Sequence, residues 1–150
     1  MKLLLLLALA ACTPHRQQVR EDRQESRVVR WESIRLSDSA DIYWRAMRWE
    51  DEGRVAAFIE DPDARTAWIA DAPTVRTQMR FRSAEVILVD VGPAPDPATP
   101  GDQREGFVTV QVEIYSDGDP VLRTSTRLQR WYRGVDGWYV EPGDELGTEK

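Results

Sequence analysis

"GFVTVQVEIY", residues 106–115, is the stretch from which the fold is read. Val108, Val110, Val112 and Ile114 alternate with Thr109, Gln111 and Glu113, a period of two that gives a strand one apolar face and one polar face. Upstream, "FRSAEVILVDV" (81–91) reads as a second strand. Downstream, "SDGD" (116–119) carries Asp-Gly, a hairpin signal, and leads into "PVLRTSTRLQRWYR" (120–133). After "GVDG" (134–137), "WYVE" (138–141) closes the set at about four strands. The proline- and glycine-rich "GPAPDPATPGDQRE" (92–105) is expected to be a mobile loop.

Before Phe81 the period lengthens. "SDSADIYWRAMRWEDEG" predicts a helix from about Ser39 to Glu52, capped by Ser37 or Ser39 and stopped by Gly53. At 100° per residue Ile42, Tyr43, Ala46, Met47 and Trp49 share an apolar side, and Trp44 projects away from it beside Asp41, Arg45 and Arg48. "GRVAAFIED" predicts a second short helix burying Val55, Phe58 and Ile59. Asp61-Pro62, a cap followed by proline in the first turn, opens a third helix with Ala64, Ala67 and Trp68 on one face, which Pro73 is expected to close. "TVRTQM" is long enough for one further turn. "RVVRWESIRL" (27–36) fits a short strand or a helical lead-in. "TPHRQQVREDRQES" (13–26) has almost no apolar side chain and is expected to be a tether without structure of its own. The tail from Pro142 to Lys150 is expected to fray.

Helices first and an antiparallel meander after them predict an α+β fold: N-terminal helices packed on a curved antiparallel sheet of about four strands. The order over residues 37–141, with the helix-break-helix "MRWEDEGRVAAFIED" and the closing hairpin "QRWYRGVDGWYVE", resembles the nuclear-transport-factor-two-like (cystatin-like) cone fold. A small open α+β sandwich fits the same pattern. At 150 residues with 41% hydrophobic content and six tryptophans, residues 27–150 suffice for a single globular domain.

The chain opens with "LLLLLALAAC" (3–12) behind Met1-Lys2. A bilayer core needs about 20 apolar residues, so this run is too short to span one. One basic residue, a short apolar run and small residues before a cut match a secretory signal, residues 1–11. Leu9-Ala10-Ala11-Cys12 resembles the lipobox of bacterial lipoproteins residue for residue. That resemblance implies cleavage before Cys12, a diacylglycerol on its sulfur, and a protein held to the membrane through acyl chains on Cys12. Thr13 in the position after the cysteine implies, by the same resemblance, the outer membrane of a Gram-negative cell with the domain in the periplasm or at the surface. Cys12 is the sole cysteine, so no internal disulfide supports the domain.

The net charge of −6, more negative still once Lys2 is removed, disfavours nucleic acid as a partner and offers no overall attraction to anionic lipid. No P-loop, G-x-G-x-x-G or G-x-S-x-G appears, and His15, the one histidine, falls in the expected tether. No metal site and no cofactor are expected. The resemblance to the cone fold implies that an enzyme of this kind would use Asp, His or Tyr side chains in a pocket between helices and sheet, and outside the expected tether this sequence offers only carboxylates and tyrosines. On residue type alone Asp90, at the end of an apolar strand, is the first acid–base candidate, with Glu113 and Tyr115 behind it. Two candidate sites follow: a pocket lined by Tyr43, Met47, Trp68 and Asp90, whose apolar members fit an ordinary core as well, and a partner surface at Trp44, Arg45 and Arg48, where the indole fits equally against residues 27–36. The expected function is that of a non-enzymatic envelope lipoprotein binding a protein partner or small ligand. The alternative is a cone-fold enzyme using carboxylate chemistry on a small apolar substrate.

Overall fold

A computed structural model describes residues 13–142, with side-chain surroundings for residues 17–74 and 79–142. Cys12, the residues 1–11 expected to be a signal and the tail beyond Pro142 lie outside the described residues. Three helices precede four strands: α1 (Thr13–Arg48), α2 (Glu52–Ala56), α3 (Pro62–Gln78), β1 (Arg80–Val91), β2 (Glu105–Ser116), β3 (Asp119–Arg133) and β4 (Trp138–Val140). The strands form one antiparallel sheet in the order β1-β2-β3-β4, with the helices packed against it, an α+β arrangement.

The strand half follows the period-two pattern. In β2, Gly106, Val108, Val110 and Val112 are buried between exposed or half-buried neighbours. Val86 and Val89 of β1 face inward opposite Val110 and Val108. A bulge between Val86 and Leu88 breaks the parity of the apolar run, so Ile87 and Leu88 both turn to solvent. The β2–β3 turn is two residues, Asp117-Gly118, between the paired Ser116 and Asp119. The loop 92–104, expected to be mobile, is held partly by itself: Asp96 accepts from the Ala98 N–H at 2.9 Å, and Asp102 accepts from the Asp96 N–H at 2.6 Å.

The helical half differs from the expectation at its start. The segment expected to be an unstructured tether is helical, and α1 runs unbroken for 36 residues from Thr13. Its interior serines are satisfied by bonding back one turn: Ser26 to the Asp22 carbonyl at 2.8 Å and Ser33 to the Val29 carbonyl at 2.9 Å. Ser37 and Ser39, expected to be caps, lie inside the helix. The end comes before Gly53. Glu50 takes a left-handed φ of 59°, the Asp51 N–H bonds to the Ala46 carbonyl at 3.0 Å, and the Glu50 N–H bonds to Met47 at 3.2 Å. This is a Schellman closure without glycine. Asp51 then caps α2 through the Arg54 N–H at 3.1 Å.

Asp61 caps α3 as expected, accepting from the Ala64 N–H at 2.8 Å. Pro73, expected to end that helix, sits inside it, and the "TVRTQ" turn continues to Gln78. A proline within a helix forfeits one backbone bond and crowds the preceding turn, at a cost of about 3 kcal/mol. The neighbouring Ala72 is buried, so packing over this turn offsets part of that cost.

The core lies between α1 and the inner face of the sheet. Leu36, Ala40, Tyr43 and Trp44 meet Val108, Val110, Trp131 and Trp138, and Val55 and Ile59 of the α2 region close one end. Gly106 is required by this packing: a β-carbon there would collide with Leu36 Cδ2 and crowd the Trp138 ring.

Candidate functional site

The buried arc of α1 decides the fate of both expected sites. Leu36, Ala40, Tyr43, Trp44 and Met47 follow the 4-3-1-3 spacing of a single helical face. Once Leu36 and Ala40 belong to the helix, that face is centred nearer Trp44 than Trp49. Trp44 is therefore not a surface anchor but 2% exposed, and its Nε1 donates to Gln129 Oε1 at 2.8 Å. Trp49, counted with the apolar stripe, is 71% exposed, and Ile42 also reaches solvent. Arg45 and Arg48 are exposed as expected, but Arg48 lies over the Trp49 ring at 5.4 Å.

Replacing Trp44 with phenylalanine removes the bond to Gln129 and leaves a buried acceptor unpaired. The expected loss is about 1–3 kcal/mol, read by chemical denaturation. A change within about 0.5 kcal/mol is what a surface position shows, and it would contradict the burial.

The expected pocket is occupied by the chain itself. Tyr43 packs edge-on against Trp44 (5.6 Å), Phe58 (5.9 Å) and Trp131 (5.6 Å), and Met47 and Trp68 pack against the same cluster. Asp90 faces the other way. It pairs with Phe107 on the open side of the sheet and is exposed, because its neighbours Val89 and Val91 take the inward positions. The structure thus does not bring Asp90 to Tyr43, Met47 and Trp68. Glu113 also faces outward and accepts from Ser83 Oγ at 2.7 Å. A depression of about 140 Å³ lies at the far end of the sheet, lined by residues including Met79, Tyr115 and Arg123.

Polar groups inside the fold are mostly structural. Glu32 of α1 is buried and accepts from Trp138 Nε1 at 3.0 Å, and Arg133 approaches it at 3.2 Å. Arg133 also donates to the carbonyls of Gly134 and Gly137, at 2.6 and 2.9 Å. Arg104, also buried, reaches Glu25 at 2.8 Å and the Gly92 carbonyl at 3.2 Å. The inner row of β3 holds three buried donors without an acceptor, Arg127 Nε, Gln129 Nε2 and Trp131 Nε1. Burial raises the Asp41 carboxyl above its ordinary value; Arg45 opposes the shift and Asp38 adds to it. Burial, with the Glu60 charge, likewise raises the Tyr132 phenol, which stacks on Tyr139 across the β3–β4 pair. Among the described residues no cluster of three or more His, Cys, Asp or Glu side chains could hold a metal ion.

What sequence reasoning missed is the outer side of α1. Trp31 is 55% exposed with Arg35 over its ring at 4.6 Å, and Ile34 is exposed one turn on. The signal was present in "RVVRWESIRL", but it is legible only once those residues are known to be helical.

No family model matches the chain, and no curated protein matches it. Among solved structures it is similar to the crystal structure of the intermembrane space region of chloroplast protein ARC6, with 14% identity and a TM-score of 0.47 over 75% of this chain and 91% of that one.

Proposed function

We propose that this chain is a lipid-anchored envelope protein whose domain is a binding module rather than an enzyme. The observation that carries the reading is the tetrapeptide Leu9-Ala10-Ala11-Cys12 behind Lys2 and an apolar run too short to span a bilayer. Acylation of Cys12 would place several acyl chains at the foot of α1, each CH₂ adding roughly 0.8 kcal/mol of membrane affinity. Thr13 after the cysteine favours outer-membrane residence, and the order of helices and meander favours kinship with the cone fold. Binding rather than catalysis is supported by the filled space between α1 and the sheet, by the outward Asp90, and by the solvent-facing Trp31 on α1 and Trp49 just past its end. An envelope protein is the partner class that this reading assigns to the domain.

The test is intact-mass analysis of the protein extracted gently from its own membranes. The expected result is a chain beginning at Cys12 with a diacylglyceryl and an acyl mass added, accompanied by a co-purifying protein. An unmodified chain beginning at Met1 would overturn the anchor and the location with it.

A further inference from the structure

The net charge of −6 conceals a separation of charge along α1. At 100° per residue Arg20, Arg23, Arg27 and Arg30 fall within an arc of about 80°. Glu21, Asp22, Glu25 and Glu32 fall on the opposite side, where Glu25 and Glu32 are held by Arg104 and Arg133. The four arginines are exposed, and none of them is bonded to a carboxylate among the described residues. Arg20, Arg23 and Arg27, with Gln24, stand side by side on the open surface of the helix. The same arc continues into Ile34, with Trp31 at its border, both more than half exposed. Asp38 and Asp41 interrupt the basic run farther along, where Asp41 faces Arg45. The unbroken basic and aromatic surface is therefore the half of α1 nearest Cys12.

We propose that this face, Arg20, Arg23, Arg27 and Arg30 with Trp31 and Ile34, docks on an anionic phospholipid surface. The argument is charge complementarity and placement. Guanidinium groups at three- and four-residue spacing meet phosphate oxygens, and a tryptophan and an isoleucine beside them suit the boundary between headgroups and acyl chains. The choice of a membrane over an acidic protein rests on the anchor reading above, because α1 begins one residue after Cys12. Acyl chains at its start and arginines along its outer side would then meet the same plane. The sheet faces away from that plane.

The test uses the full chain with Cys12→Ser, so that no acyl chain contributes, floated with two vesicle preparations. One is phosphatidylcholine alone and the other contains about a third phosphatidylglycerol; the apolar leader is common to both. The expected result is a clear preference for the anionic vesicles. R20Q/R23Q/R27Q is expected to reduce that preference on the order of 100-fold at low salt, since each arginine near a charged surface contributes about a factor of five. Glutamine keeps helix propensity and the three arginines hold nothing in the fold, so the variant should remain folded. Equal binding to both vesicles, or an anionic preference untouched by the triple substitution, overturns the proposal; the first result would leave an acidic protein as the occupant. An unacylated Cys12 in the mass analysis with the preference intact would remove the anchor alone. An acylated Cys12 with no preference would remove the docking face alone.

Discussion

Glu32→Ala is expected to destabilise the domain by about 3–5 kcal/mol, the loss that follows when one partner of a buried ion pair is removed and the other stays buried. Glu32 lies on α1, and its two oxygens hold Trp138 Nε1 and Arg133 on the final hairpin, more than a hundred residues away in sequence. Without it, the indole N–H has no acceptor. The Arg133 guanidinium keeps only the backbone carbonyls of Gly134 and Gly137. The short β4 is joined to the sheet through only three residue pairs, so this side-chain bond is a large share of what fixes it. Glu32→Gln preserves an acceptor for Trp138 and should lose less. The measurement is the urea midpoint of the three proteins. A Glu32→Ala variant within 1 kcal/mol of the parent would show that the hairpin is held by its apolar contacts alone.

Trp131→Ala is expected to cost a similar amount, about 3–5 kcal/mol, by a different route. The Trp131 ring has no exposure and meets Tyr43 at 5.6 Å and Phe58 at 5.8 Å, both edge-on. It thereby joins α1, the α2 region and β3 at one point. Truncation leaves a cavity among side chains fixed by three separate elements, which limits how far the site can collapse. The near-ultraviolet dichroism of the aromatic cluster should weaken together with the melting temperature, by roughly 10 °C or more. Trp49→Ala supplies the control: a tryptophan of the same size, mostly in water, is expected to change stability by no more than about 0.5 kcal/mol. Equal effects at both positions would mean that the core is not centred where the structure has it.

The strand half of this fold was legible because a period of two is visible locally and survives one bulge. Each strand was found within two residues of its bounds, and the α+β class followed from the order of elements. Most of α1, everything before about Ser39, was not legible, for a physical reason. Of the positions that continue its inward face toward the N-terminus, Glu25, Glu32 and Ser33 are polar, held by partners distant in sequence or by a backbone carbonyl, and Val29 stands alone among them. With those turns missing, the helical face was centred on too few residues, and Trp44 and Trp49 exchanged roles. Asp90 was misplaced by a related ambiguity: "VILV" (86–89) is apolar throughout, so parity cannot be counted across it, and only the bulge after Val86 resolves it. Glu50, which takes a left-handed φ without being glycine, had no sequence signal, since glycine is the usual occupant of that position.

The continuity of α1 has a mechanical consequence. The same rod that is helical from Thr13 packs on the core as far as Arg48, so tension applied along it from the Thr13 side acts parallel to the sheet-packed surface. Glu25 on Arg104, Glu32 on Arg133 and Trp138, and Trp44 on Gln129 are then strained together as a lap joint, not peeled one after another. Shear of this kind distributes load across the whole contact length, whereas a flexible leader would concentrate it on the first bond to open.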